Sequence, residues 1–153
     1  MEKVNLHQQK LYALIVAVLA LIAIFLPWTV QKFGGDFFGM GRSITMNGFR
    51  STGFLTFLGI IGVIIASLMG DKTKEYDSNS KMIAMGSFGA IAAGALIYFL
   101  LVMGKSKAYG ASAGIGVWIS IVAGLVGLLW VSGLIKMKPT TPAPPAPPAP
   151  PKA

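Results

Sequence analysis

Apolar and polar positions fall in long blocks along this chain. Leu11–Trp28, LYALIVAVLALIAIFLPW, carries no charge and has near the length needed to cross a hydrocarbon core of ~30 Å. Three more apolar blocks follow, at 52–70 (centred on Gly53–Met69), 82–103 and 113–135. Each predicts a membrane-crossing helix. The expected fold is all-α, an antiparallel bundle of four transmembrane helices within 11–138. Pro27 and Trp28 end the first block, and a tryptophan there fits the aromatic belt at headgroup level. The preceding polar segment, MEKVNLHQQK, resembles the start of a secretory signal. The apolar run is longer than a signal core of roughly 7–15 residues, and FLPWTV has no small-residue cleavage pattern, so the first block predicts an uncleaved span.

The connections carry the polar residues. In 29–51, Gly34-Gly35, Gly39 and Gly41 are turn signals, flanked by short alternating runs. They predict a β-hairpin, with strands at about 28–33 and 42–46, on the outer membrane surface. A lone hairpin is marginal in water, so it should lean on the helix ends through Phe33, Phe37 and Phe38. The alternative use of these aromatics is as a partner-contact patch. Residues 70–81, GDKTKEYDSNSK, predict a solvated loop: Asp71, Glu75 and Asp77 lack a calcium-loop spacing, and Lys72, Lys74 and Lys81 neutralise them. Residues 104–112 predict a short loop with Lys105 and Lys107, and Lys136 and Lys138 stop the last span.

Lipid is as apolar as leucine, so helices in it associate through small residues that let backbones approach. The chain supplies these at four-residue spacing: Gly62, Ala66 and Gly70 in the second span, Gly86, Ala90 and Gly94 in the third, Gly116, Ser120 and Gly124 in the fourth. The first span contributes Ala13 and Ala17.

Composition agrees with the blocks. Charged residues make up 12% of 153, about half the share of a soluble domain, and mean hydropathy is +0.70. The net charge of +8 comes from lysines and arginines scattered over the connections and termini. They form no stripe, which argues against nucleic acid and for anionic headgroups. With both termini inside, the inner segments carry eight Lys and the outer segments five Lys and Arg, which favours cytoplasmic termini. The tail, 139–153, PTTPAPPAPPAPPKA, repeats Ala-Pro-Pro and predicts a polyproline II rod. Such a rod serves as a spacer or, through Pro144, Pro145, Pro147 and Pro148, as a docking ligand for an aromatic groove.

The predicted spans hold no Asp, Glu, Lys, Arg or His, which argues against proton relays, ion paths and intramembrane proteolysis. No proline breaks a span at mid-depth, as the discontinuous helices of transporters would require. There is no cysteine, and the single His7 reads as a solvated residue. DFFGMGRS at 36–43 departs from a phosphate-binding loop where Asp36 and Arg42 stand, and GIGVWI at 114–119 lacks the third glycine of a dinucleotide fingerprint. Neither a catalytic group nor a cofactor or metal is expected.

Leu26-Pro27-Trp28 at the end of the first span, Ser43–Gly48 (SITMNG) and Arg50 before the second carry a resemblance. Over residues 11–70 the plan resembles the claudin and peripheral-myelin tetraspan superfamily in its broad sense. It is also similar to small bacterial four-span proteins with an LPW motif. Claudins carry a Gly-Leu-Trp motif and a cysteine pair in the first outer loop, which this chain lacks, so the resemblance implies architecture and not an adhesive role. The sequence therefore points to a non-enzymatic accessory or scaffold subunit of a bacterial-type cytoplasmic membrane, bound to a membrane-protein partner or to itself. The alternatives are a claudin-like self-associating protein acting through its hairpin, and a small transporter or lipid-binding protein.

Overall fold

A computed structural model describes residues 6–33, 42–50 and 52–135. The chain is mostly helical, with a small antiparallel sheet. Helix α1 spans Gln8–Phe25, α2 Gly53–Leu68, α3 Ser78–Tyr109 and α4 Ile115–Ser132. Strand β1 is Pro27–Phe33, β2 Arg42–Asn47 and β3 Ala111–Ala113, and a 3₁₀ turn at Gly48–Arg50 leads into α2. Helix α1 packs on α2 and α4, and α3 packs on the same two.

Local chemistry sets the ends. His7 Nδ1 accepts from the Gln9 amide at 3.3 Å at the start of α1. Pro27, which has no amide hydrogen, stops it. Gly70 (φ 69°) and Gly133 (φ 85°) take the left-handed conformation just past α2 and α4, where a side chain would be strained.

The helices are inside-out relative to a soluble core. On α1 the buried residues are Lys10, Ala13, Ala17, Ala20, Ala23 and Ile24, while Leu11, Ile15, Val18, Leu19, Ile22 and Phe25 are exposed. On α2, Thr56, Gly59, Ala66 and Ser67 face inward with Ile60 and Val63, while Phe54, Leu58, Ile61, Ile65 and Leu68 face outward. A soluble bundle places its large aliphatic side chains inside. Helices α1, α3 and α4 are long and apolar enough to cross a membrane; α2, at 16 residues, is shorter. This pattern is compatible with an integral membrane protein.

The connection between the third and fourth spans differs from expectation. The loop expected at 104–112 is largely helix, since α3 runs on to Tyr109, and its end forms a third strand. Strand order is β2-β1-β3, with β1 paired antiparallel on both sides: Phe33 opposite Arg42, and Gln31 opposite Ala111. Three residues are too few to show alternation, and β3 exists because β1 offers it a free edge. The register of β1 on β2 shifts between Pro27 and Thr29, a bulge that re-aims Trp28.

Candidate functional sites at the two ends of the bundle

At the sheet end the centre is Trp28. The sequence suggests a headgroup-level residue, but Trp28 is fully buried. The reason lies one residue earlier. In a continuing helix the Ala23 carbonyl would accept from the amide of residue 27, and Pro27 has none to give. The Trp28 indole Nε1–H donates to that carbonyl instead, at 2.8 Å. Glycines make room for the ring. A Cβ on Gly48 would lie 2.6 Å from Trp28 Cε2, and one on Gly116 2.6 Å from its Cδ1. Tyr98 of α3 meets the ring edge-on, with centroids 5.2 Å apart. The Tyr98 hydroxyl hydrogen-bonds Thr29 Oγ1 inside the bundle, and the Gly114 amide donates to the Trp28 carbonyl at 2.8 Å. One side chain thus ties together the end of α1, the root of the sheet, α3 and the start of α4.

At the other end the centre is Lys10. The sequence places it in the polar N-terminal segment; it lies instead in the first turn of α1, fully buried. Its Nζ donates to the Met69 carbonyl at 3.2 Å and to the Asp71 carbonyl at 2.9 Å. Met69 is the C-cap of α2, so the ammonium sits at the negative end of that helix dipole. The Tyr76 ring lies 5.5 Å from Nζ, within reach of a cation–π contact. Ser67 Oγ donates back to the Val63 carbonyl at 2.8 Å, so its 2.6 Å contact with Tyr76 is donated by the phenol. Burial raises the Tyr76 pKa above the ordinary tyrosine value. The Trp130 indole donates to the Gln9 carbonyl at 3.1 Å, and Gln9 Oε1 accepts the Tyr76 amide at 3.3 Å.

The polar loop beyond is held locally. Asp71 Oδ1 accepts from the Thr73 hydroxyl at 2.6 Å and the Thr73 amide at 3.0 Å, and these two bonds lower its carboxyl pKa. Lys74 stands 3.6 Å from the other oxygen. Among the described residues, no three His, Asp or Glu are grouped as metal ligands.

The small-residue ladders divide. A Cβ on Gly124 would meet the Ala92 amide nitrogen at 2.6 Å, and one on Gly94 Thr56 Oγ1 at 2.8 Å. Gly62 faces the Ser87 hydroxyl, Gly116 faces Trp28 and the Ala23 carbonyl, and Ala66 is buried. Ala90 is half-buried. Ser120 is buried with no hydrogen-bond partner for its hydroxyl among the described residues. Two members stand apart. Gly86 has nothing within 4 Å of its would-be Cβ, and Gly70 lies past the end of α2, shaping the turn rather than a helix face. Four-residue spacing misses Gly59 against the Ser87 carbonyl, Gly127 against the Phe88 ring, and Ala20 and Ala23 in the buried stripe of α1. Phe33 ends β1, pairing through its backbone at the hairpin's far end. Phe37, Phe38, Pro144, Pro145, Pro147 and Pro148 lie outside the described residues. The sheet is anchored at its root by Trp28 and Thr29.

Compared with protein-family models and with curated proteins, the chain finds no match.

Proposed function

We propose that this chain is a non-enzymatic integral membrane subunit, a four-helix transmembrane bundle that packs beside a larger membrane partner. The inside-out helices carry the reading: on α1 and α2 most small and hydroxyl side chains face inward and most large aliphatic ones outward, as expected where lipid is the solvent. Several of the polar groups within and at the ends of the bundle are occupied by the fold. Lys10, Tyr76 and Ser67 close one end, Trp28, Thr29 and Tyr98 the other, and Thr56 donates from α2 to the Ile91 carbonyl of α3. That use supports a scaffold over an enzyme or a carrier. The Lys and Arg balance supports a bacterial-type cytoplasmic membrane with both termini inside, and the Pro-rich tail is a spacer or docking segment reaching a cytoplasmic partner.

One observation favours a second reading, self-association through the sheet. Strand β2 is an edge strand, and its Ile44 and Met46 are exposed. The experiment is gentle detergent extraction and mass spectrometry of co-purifying proteins, with and without residues 139–153. A stoichiometric partner lost with the tail supports the docking subunit. A homo-oligomer unaffected by tail deletion moves the reading to the sheet.

A further inference from the structure

A crevice of about 350 Å³ opens where α1 ends and the sheet begins, lined by Phe25, Pro27, Thr45, Met46, Asn47 and Arg50. It lies at the root of the hairpin, where Pro27 pairs with Asn47, and the strands run on to Phe33 and Arg42. Its chemistry is split. On one side the large apolar side chain of Phe25 (64% exposed) points outward from the end of α1, with the exposed Phe49 edge-on to it at 5.4 Å. On the other stand the hydroxyl of Thr45, the amide of Asn47 and the guanidinium of Arg50, none with a side-chain partner among the described residues.

Among the described residues, the charge at this end is unbalanced. The described carboxylates, Asp71, Glu75 and Asp77, all lie in the loop at the opposite end of the bundle. Arg50 therefore has no resident counter-ion there among the described residues. Helix α2 starts three residues later without a side-chain cap, because the Thr52 hydroxyl donates to the Gly94 carbonyl at 3.1 Å, so the positive end of its dipole adds to the field. A guanidinium with five fixed donors matches phosphate oxygens, and the neighbouring amide and hydroxyl can complete the cradle.

We infer that this crevice binds the phosphodiester headgroup of a membrane phospholipid, with Arg50 and Asn47 on the phosphate and the acyl chains running down past Phe25 and Phe49. The site rests on the membrane reading, because only there do the exposed phenylalanines lie at acyl depth. The apolar side favours a lipid over a free anion.

The test uses the full chain, stripped of native lipid in detergent and titrated with dioleoyl phosphatidylglycerol, with the first lipid adduct followed by native mass spectrometry. Arg50→Gln should weaken that adduct about tenfold, the value of a charge-assisted contact, and Asn47→Ala should weaken it less. Lys32→Gln, on the same sheet but outside the crevice, should leave it unchanged. Arg50 is exposed, so thermal melting of the variant should match the unsubstituted protein and exclude misfolding. An unchanged adduct in Arg50→Gln overturns the site while leaving the membrane reading intact. Displacement of the lipid by millimolar inorganic phosphate overturns the lipid assignment in favour of a free anion. Release of the unsubstituted protein from membranes by alkaline carbonate overturns the membrane reading and this site with it.

Discussion

The two ends of the bundle meet the same problem with opposite chemistry. A helix leaves its last carbonyls without intrahelical donors, and a buried carbonyl needs one. At the sheet end, α1 loses a donor to Pro27, and a neutral indole from the next residue replaces it. At the loop end, α2 stops at Leu68, and a buried ammonium from α1 reaches the Met69 and Asp71 carbonyls. The indole solution costs little desolvation but demands space, hence Gly48 and Gly116 around the ring. The ammonium solution needs little space. Its two charge-assisted bonds, at ~1.5–3 kcal/mol each, are set against several kcal/mol for removing the charge from water. The neutral lock should therefore hold more net stability than the charged one.

Substitution tests that ordering. Trp28→Ala should cost about 3–5 kcal/mol, as it removes a buried aromatic and bares the Ala23 carbonyl. Melting in detergent should fall by ~10 °C on the scale of about 2–4 °C per kcal/mol. A loss below that of Lys10→Met would reverse the comparison. Between the ends, Gly124→Ala should cost about 1–3 kcal/mol, because its Cβ would press on the Ala92 backbone, which yields less readily than a side chain. Gly86→Ala, in open space, should be neutral or stabilising by up to ~1 kcal/mol, and equal losses for the two would show that these contacts do not measure packing.

Lys10→Met should cost about 1–2 kcal/mol, the small remainder of large opposed terms. The smallest effect is at high pH. Burial raises the Tyr76 pKa, so its contribution is intact below the ordinary tyrosine value of about 10 and is lost as pH rises through the higher folded value. The melting temperature of the unsubstituted protein should fall over that range more steeply than that of Tyr76→Phe. Parallel curves would mean that Tyr76 is not the buried titrating group.

The sequence is informative where one residue type decides an outcome and silent where partners come from far along the chain. Apolar blocks reveal the helices, and paired glycines reveal the hairpin, because backbone and solvent preferences act locally. Trp28 stands beside Pro27, so its bond to Ala23 was open to inference from the missing amide. Its burial needed Gly48, Gly116 and Tyr98, which no local pattern connects. Lys10 sits 59 residues from Met69 and 61 from Asp71, and a lysine at the start of an apolar run looks like a flanking charge until the chain folds back. Strand β3 is set by the free edge of β1. The ladders mark which residues are small; which helix face meets another depends on the packing of the whole bundle, so Gly94 and Gly124 touch neighbours while Gly86 does not.

The membrane reading puts most of the large aliphatic side chains of α1 against lipid and its alanines against the neighbouring helices. The chain has no cysteine, so single cysteines placed along α1 carry a spin label at one site each. In the reconstituted protein, labels at Leu19 and Ile22 should relax with oxygen, which dissolves in lipid, and hardly with a water-soluble nickel chelate; labels at Ala17 and Ala20 should respond to neither. Strong relaxation of Leu19 and Ile22 by the nickel chelate would put that face in water and contradict the account.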